Sequence, residues 1–62
     1  MKVILLKVRK EKGFTLKQLE EATGIGSSTI QRIEVEETSP TLENLDKIAK
    51  ALGVKITDLF IE

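Results

Sequence analysis

Apolar side chains recur every three or four residues along most of this chain, and glycines close the recurring stretches. Gly13, Gly24 and Gly53 each follow such a stretch, and glycine readily adopts the left-handed conformation in which many helices end. The clearest stretch runs from residue 42 to residue 52. This spacing is typical of amphipathic helices and not of strands. The chain is therefore predicted to fold as a series of short helices.

Threonines mark where three of these helices begin. Thr15 is followed three residues later by Gln18, which together predict a capping box, and Thr41 and Thr57 are predicted N-caps of later helices. No segment shows the alternating pattern of a strand. We predict a compact, all-α domain of five helices that occupies residues 1–62. The predicted helices span residues 2–12, 16–23, 27–35, 42–52 and 58–61.

The size and composition of the chain exclude several classes of function. Its 62 residues include neither cysteine nor histidine, so disulfides and the usual zinc ligands are excluded. The adjacent carboxylates at 20–21 and 36–37 are expected to diverge instead of converging on a substrate atom. We expect no enzyme activity, catalytic residue, metal, cofactor or small-molecule substrate. The apolar run at residues 3–6 is too short to cross a membrane, and a cytoplasmic protein is expected.

Charge is unevenly distributed along the chain although its formal net value is zero. Residues 1–12 carry a net charge of +4, whereas residues 35–62 carry −3. A small domain with this polarity could present a basic side to phosphate groups. A solvated surface of mixed charge fits the same distribution equally well.

The second and third predicted helices form a pair joined by a short, glycine-containing turn. Ile25 is the apolar residue of the turn and is predicted to point inward. The core of this pair is expected to contain Leu19, Ala22, Ile30 and Ile33. The outer side of the third helix then carries hydroxyl, amide and guanidinium groups, which can pair with base edges. The pattern predicts a helix-turn-helix unit whose second helix can enter the major groove of DNA.

A family resemblance extends over almost the whole chain, from about Leu5 to Phe60. It is carried by Leu19 and by the segments 9–15, 23–25, 28–30, 32–34, 39–43 and 47–54. In these segments the chain resembles the Xre/Cro family of bacterial and phage repressors. The resemblance implies a five-helix domain that binds double-stranded DNA, usually as a homodimer on a palindromic operator, and a bacterial or phage-type protein associated with the nucleoid.

The resemblance also implies roles for individual residues. Base contacts would come from Ser27, Ser28, Gln31 and Arg32. Contacts to the DNA backbone would come from Thr15, Leu16, Lys17 and Thr38. Arg9 and Glu34 match a family pair that forms a buried, structural ion pair between the first and third helices. We expect dimer contacts from Ile56, Leu59, Phe60 and Ile61, although Leu59 and Phe60 fit ordinary core packing equally well.

Several positions depart from the family pattern. Leu16 stands where many members have glutamine, and its side chain cannot hydrogen-bond a phosphate. Glu20 replaces an alanine at the close approach of the two motif helices, so it must point outward or find a cation. Val35, Glu36 and Glu37 replace a polar residue, a glycine and a basic residue in the loop that holds the DNA backbone. This change predicts weaker binding and a different end to the third helix.

The third helix has two serines at its start, and one of them is expected to cap the helix while the other contacts DNA. Taken together, the patterns favour a sequence-specific DNA-binding regulator of transcription, and a repressor in particular. The alternative is a protein-interaction module, or an antagonist of a related repressor, with weak or no affinity for DNA. The zero net charge and the acidic loop at 35–37 favour that alternative.

Overall fold

The computed structural model of the chain describes residues 2–61, which contain four α-helices, one 3₁₀ helix and two short strands. In chain order these are β1 (Lys2–Val3), α1 (Leu5–Glu11), α2 (Leu16–Thr23), α3 (Ser27–Glu34), α4 (Leu42–Leu52), the 3₁₀ helix (Ile56–Leu59) and β2 (Phe60–Ile61). Within these residues the longest helix is α4, and none is long and apolar enough to cross a membrane.

Local capping signals determine the bounds of α2 and α4, and the predicted ranges for both helices are confirmed. Thr15 Oγ1 accepts from the Gln18 amide at 3.0 Å and the Gln18 side chain accepts from the Thr15 amide at 2.9 Å, which completes the predicted capping box. Thr41 also caps α4, with its hydroxyl oxygen accepting from the Asn44 amide at 3.0 Å. Gly24 and Gly53 end the two helices in the left-handed conformation.

The two ends of the described chain pair with each other, which the sequence pattern did not predict. The strands β1 and β2 are antiparallel, with Lys2 opposite Ile61 and Val3 opposite Phe60. The Ile4 amide also donates to the Leu59 carbonyl at 2.8 Å. The first helix therefore begins at Leu5 and not at Lys2. Val3 and Ile4 are β-branched, and such residues favour extended backbone. The strand pairing also gives the backbone amides and carbonyls near the start of the chain hydrogen-bond partners that they would lack at a fraying helix end.

The predicted fifth helix is wrong in both type and position. Residues 56–59 form a 3₁₀ helix, and the chain then becomes extended at Phe60. Thr57 lies inside this helix and does not cap it; the Asp58 carboxylate instead accepts from the Lys55 amide at 3.0 Å. The five-helix prediction is thus corrected to four α-helices, and the all-α prediction to a mostly helical fold.

One apolar core joins all the helices. Its fully buried members are Leu5, Leu19, Ile30, Ile33, Ile48 and Leu59. Ile25 is also buried, as predicted for the turn. Ala22 is exposed, so its predicted place in the core of the motif is wrong. The face of α2 that meets the core is narrower than the sequence suggested, and Leu19 is the residue of α2 that is buried in it.

Candidate nucleic-acid interface

A tight turn holds α2 and α3 in a fixed relation. The Gly24 amide donates to the Glu20 carbonyl at 2.7 Å, with Gly24 at φ 77°. The Thr23 hydroxyl donates to the Leu19 carbonyl at 2.7 Å and accepts from the Ile25 amide at 3.1 Å. These bonds satisfy the backbone of the turn, while Ile25 fixes it to the core. The two helices form a helix-turn-helix unit.

The two sides of α3 differ sharply in exposure. Ile30 and Ile33 are 0% and 1% exposed, so the inner side of α3 cannot turn away from the core. The outer side is exposed over Ser28, Thr29, Gln31 and Arg32. Three of these residues are among the four predicted base contacts. Thr29 was not among them, although it lies between predicted positions on the same exposed side.

The fourth predicted base contact, Ser27, is half-buried and held by Glu20 of α2. Glu20 Oε1 accepts from the Ser27 amide at 2.9 Å and from the Ser27 hydroxyl. The hydrogen bond from the Ser27 hydroxyl is the largest of the effects that lower the pKa of Glu20 below its ordinary value of 4.5. The bond from the Ser27 amide and the positive charge of Lys17 also lower it. Glu20 therefore stays ionised at neutral pH. Of the two expected alternatives, Glu20 points outward and is exposed, and its hydrogen-bond donors belong to Ser27 and not to a cation.

The expectation that a serine caps α3 is wrong. The N-cap residue of α3 is Gly26, which has no side chain that could cap the helix. The Glu20 carboxylate satisfies one amide of the first turn from the neighbouring helix instead, an arrangement that the helix dipole also favours. In the sequence, Glu20 stands out only as a departure from the family pattern. That departure, at the closest approach of the two helices, was the available signal.

The start of α2 presents two of its predicted backbone contacts to solvent. Thr15 and Lys17 are exposed, and Leu16 is half-buried against the core. The Thr15 hydroxyl oxygen is occupied by the capping box. The amides of residues 16 and 17 lie in the first turn, where a helix offers them no acceptor of its own. Anion binding here would use those amides and the Lys17 ammonium group, not the Leu16 side chain.

Arg9 and Glu34 meet between α1 and α3. Arg9 Nε lies 2.6 Å from Glu34 Oε2, and Arg9 Nη2 lies 3.3 Å from Oε1, so the guanidinium forms a fork around the carboxylate. Arg9 Nη1 also donates to the Phe14 carbonyl at 2.8 Å. The side chains are only 10% and 3% exposed. This pair joins the last residue of α3 to α1, and its low exposure distinguishes it from exposed Gln31 and Arg32.

The loop after α3 contains a glutamate in a left-handed conformation. Glu36 has φ 60°. Its amide donates to Ile33 and the next amide, of Glu37, donates to Arg32, which is the Schellman pattern of a helix end. The Glu36 carboxylate accepts from the Val3 amide at 3.3 Å, so it is drawn toward β1. Glu37 and Thr38 are exposed. The end of α3 is therefore of the glycine type although the glycine is missing, and the prediction that this helix ends differently is wrong.

The four predicted dimer residues have different surroundings. Leu59 is completely buried within the single chain, so its assignment to a dimer surface is wrong: it packs in the monomer core beneath α1 and α4. Ile56 and Phe60 are half-buried. Ile61 is 51% exposed on β2 and is the member of this group most available to a partner.

The geometry described above is that of a helix-turn-helix domain, and comparison with known proteins agrees. The helix-turn-helix family model matches residues 5–59, which is most of the chain. This protein therefore belongs to the helix-turn-helix family, in its Xre/Cro-like branch.

Several relatives and solved structures are similar to this chain. The HTH-type transcriptional regulator SutR of Escherichia coli K12 is 42% identical over 50 residues, which are 81% of this chain and 28% of SutR. The restriction-modification controller protein C.AhdI of Aeromonas hydrophila superposes with a TM-score of 0.85 at 28% identity, over 90% of this chain and 85% of that one. The N-terminal DNA binding domain of SinR from Bacillus subtilis gives 0.82 at 32% identity, over 94% and 86%. The chain thus spans less than a third of SutR.

Proposed function

We propose that this domain binds double-stranded DNA sequence-specifically, with α3 in the major groove, and acts as a regulator of transcription, specifically a repressor. The observation that carries the proposal is the exposure of Ser28, Gln31 and Arg32 on a helix whose opposite side is locked into the core. A helix held in this way can present its outer side to a groove without rearrangement. The description of the SinR domain as DNA-binding supports the same assignment.

Within this proposal the contacts divide into two kinds. Arg32 and Gln31 would read base edges, because a guanidinium can pair with guanine and an amide with adenine. Lys17 and the first-turn amides of α2 would hold a phosphate, which positions α3 without reading sequence. Ser28 lies near the N-terminal end of α3, the end that usually reaches the bases. Thr38, exposed in the loop after α3, would reach the backbone on the other side.

The proposal includes a homodimer that places two copies of α3 in successive major grooves of a palindromic site. Single helix-turn-helix domains of this size offer few contacts, so pairing supplies affinity. Ile61, with partly exposed Phe60 and Ile56 nearby in sequence, is the apolar surface we assign to the dimer contact. Such a protein would act in the cytoplasm, in association with the nucleoid.

Titration of labelled duplex by fluorescence anisotropy tests the proposal. At low salt we expect at least micromolar affinity for random-sequence duplex, with a steep decrease as salt rises, because phosphate contacts release counterions. Lys17→Ala should weaken binding to every duplex alike and reduce the salt slope by about 1. Lys50→Ala, which removes the same charge from α4, serves as the control and should leave the slope nearly unchanged.

For a duplex enriched by selection from random sequences, Arg32→Ala should lower the affinity about tenfold or more. Its affinity for random-sequence duplex should change much less. An equal loss of affinity for both duplexes would mean that Arg32 contacts a phosphate and not a base. No measurable duplex binding by the unmodified chain would overturn the proposal altogether.

A specific observation favours a second candidate function, that of a protein-interaction module. Glu37 is exposed in the loop that would face the DNA backbone, and the formal net charge of the chain is zero. Both features oppose binding to a polyanion. The same titration separates the two functions, since an interaction module would show almost no affinity even at low salt.

A further inference from the structure

The carboxylate of Glu20 is held in a defined position at the N-terminal end of α3. One of its oxygens, Oε1, accepts both donors of Ser27, the amide at 2.9 Å and the hydroxyl. Two bonds to one residue restrict both the position and the rotation of the carboxylate. Glu20 belongs to α2, but its carboxylate lies at the N-terminal end of α3, the helix proposed to enter the groove.

The second oxygen of this carboxylate can accept a further hydrogen bond. Glu20 is exposed, and its Oε2 makes no hydrogen bond to any part of the chain between residues 2 and 61. The bonds from Ser27 and the charge of Lys17 lower the pKa of Glu20, so the group is ionised at neutral pH. An ionised carboxylate accepts hydrogen bonds and cannot donate them. Oε2 is therefore an available acceptor on a carboxylate that Ser27 holds at the N-terminal end of α3.

The major groove offers an acceptor of this kind only two donors, the N4 amino group of cytosine and the N6 amino group of adenine. Adenine N6 lies between two acceptors, its own N7 and the O4 of the paired thymine, which both repel a carboxylate. Cytosine N4 has an acceptor, guanine O6, on one side only. A carboxylate in the groove therefore favours cytosine, and guanine or thymine in its place is disfavoured.

Resting on the function proposed above, we propose that Glu20 is a specificity-determining residue, whose Oε2 accepts from the N4 amino group of a cytosine facing the start of α3. Ser27 is then a positioning residue. Its hydroxyl proton is committed to Glu20, so Ser27 contributes to base recognition by holding the carboxylate and not by donating to a base itself.

Selection from random-sequence duplexes, followed by sequencing, tests this role in the whole chain. The unmodified protein should enrich cytosine at one position of each half-site by about tenfold over the other bases. In Glu20→Gln, the Ser27 donors should hold the amide oxygen and leave the amide NH₂ facing the groove. The Glu20→Gln variant therefore presents a hydrogen-bond donor to the base, whereas the unmodified protein presents an acceptor. We expect cytosine enrichment at that position to fall below about twofold and guanine or thymine to replace it.

Glu21→Gln is the matched control, because it removes the same charge from the adjacent, exposed residue of α2. It should keep the cytosine preference. Ser27→Ala retains the amide bond to Glu20 but removes the hydroxyl, so its cytosine enrichment should be intermediate. Each variant is also checked for its thermal midpoint, which reports any effect on the start of α3.

The outcomes separate this inference from the proposed function. Unchanged cytosine enrichment in Glu20→Gln, with a lowered thermal midpoint, would mean that Glu20 only caps α3 and would overturn the inference. Enrichment of a defined site without a cytosine at that position would also overturn the inference and leave the proposed function standing. Failure of the unmodified chain to enrich any duplex would overturn both.

Discussion

Arg9 illustrates how much a single side chain contributes to a domain with so small a core. It is a buried charged residue between α1 and α3, and its guanidinium is satisfied by Glu34 and by the Phe14 carbonyl. Removing one member of such a pair leaves the other charge buried without compensation, at a cost of about 3–5 kcal/mol. A domain of this size has only a few kcal/mol of stability, so that cost is close to the whole.

We predict that Arg9→Met is largely unfolded at 25 °C, because it leaves the Glu34 carboxylate, 3% exposed, without its cation. Circular dichroism during thermal unfolding measures the effect. Arg9→Met combined with Glu34→Leu removes both charges and should recover most of the stability. Arg32→Met removes an exposed arginine and should change stability by less than about 0.5 kcal/mol. Equal stability of Arg9→Met and Arg32→Met would contradict the structural role of the pair.

The helices of this fold show how an unfavourable residue can occupy a position that glycine usually fills. Gly13 follows the C-cap residue of α1 and Gly53 is the C-cap residue of α4, and both have positive φ. α3 ends in the same hydrogen-bond pattern, but Glu36 occupies the left-handed position at φ 60°. A residue with a side chain is less stable there by about 1–2 kcal/mol. The bond from the Val3 amide to Glu36 offsets part of this cost, and it is long and exposed.

At the scale of the element, Glu36→Gly is expected to raise stability by about 0.5–1 kcal/mol, since relief of the left-handed strain exceeds the lost hydrogen bond and the greater freedom of the unfolded chain. For a domain of this length that is an increase of about 2–8 °C in the thermal midpoint. Glu37→Gly is the control, because its φ is not positive and glycine gains nothing there. A lower midpoint for Glu36→Gly than for the unmodified chain would show that the contact with β1 outweighs the strain.

Sequence signals for the elements succeeded where they were local. The bounds of α2 and α4 follow from capping residues and terminal glycines within a few positions of each helix end. The outer side of α3 was likewise predictable, because Ile30 and Ile33 determine which side faces inward. The hydrogen-bond partner of Glu20 was not predictable, because the neighbouring sequence does not indicate whether Glu20 meets a cation or the donors of Ser27.

At the scale of the whole molecule, the pairing of β1 with β2 brings the two ends of the described chain together and covers one end of the core. It also determines which C-terminal residues remain available to a second copy. Leu59, just before β2, is completely buried, whereas Ile61 on β2 is 51% exposed. The proposed dimer therefore depends on a smaller apolar surface than the sequence suggested.

We expect the unmodified chain to dimerise and Ile61→Glu to shift it toward monomer, because a carboxylate replaces apolar contact area at the interface. Ile61 lies opposite Lys2, so the new carboxylate faces a lysine and the strand pairing is retained. Sedimentation equilibrium measures the dissociation constant. Leu42→Glu, at an apolar residue that is 70% exposed on α4, is the control. Identical dimerisation of the Ile61 and Leu42 variants would place the dimer contact elsewhere.

Sequence alone determined the helical character of the chain, the helix-turn-helix pair and the polar side of α3, because each depends on residue spacing and capping within a few turns of backbone. Only the tertiary structure decided that the chain ends pair as strands, that Glu20 holds Ser27 and that the Glu36 carboxylate accepts from the Val3 amide. These three features depend on contacts between elements. Their energies come from groups that meet only after the helices have packed, and no local pattern encodes them.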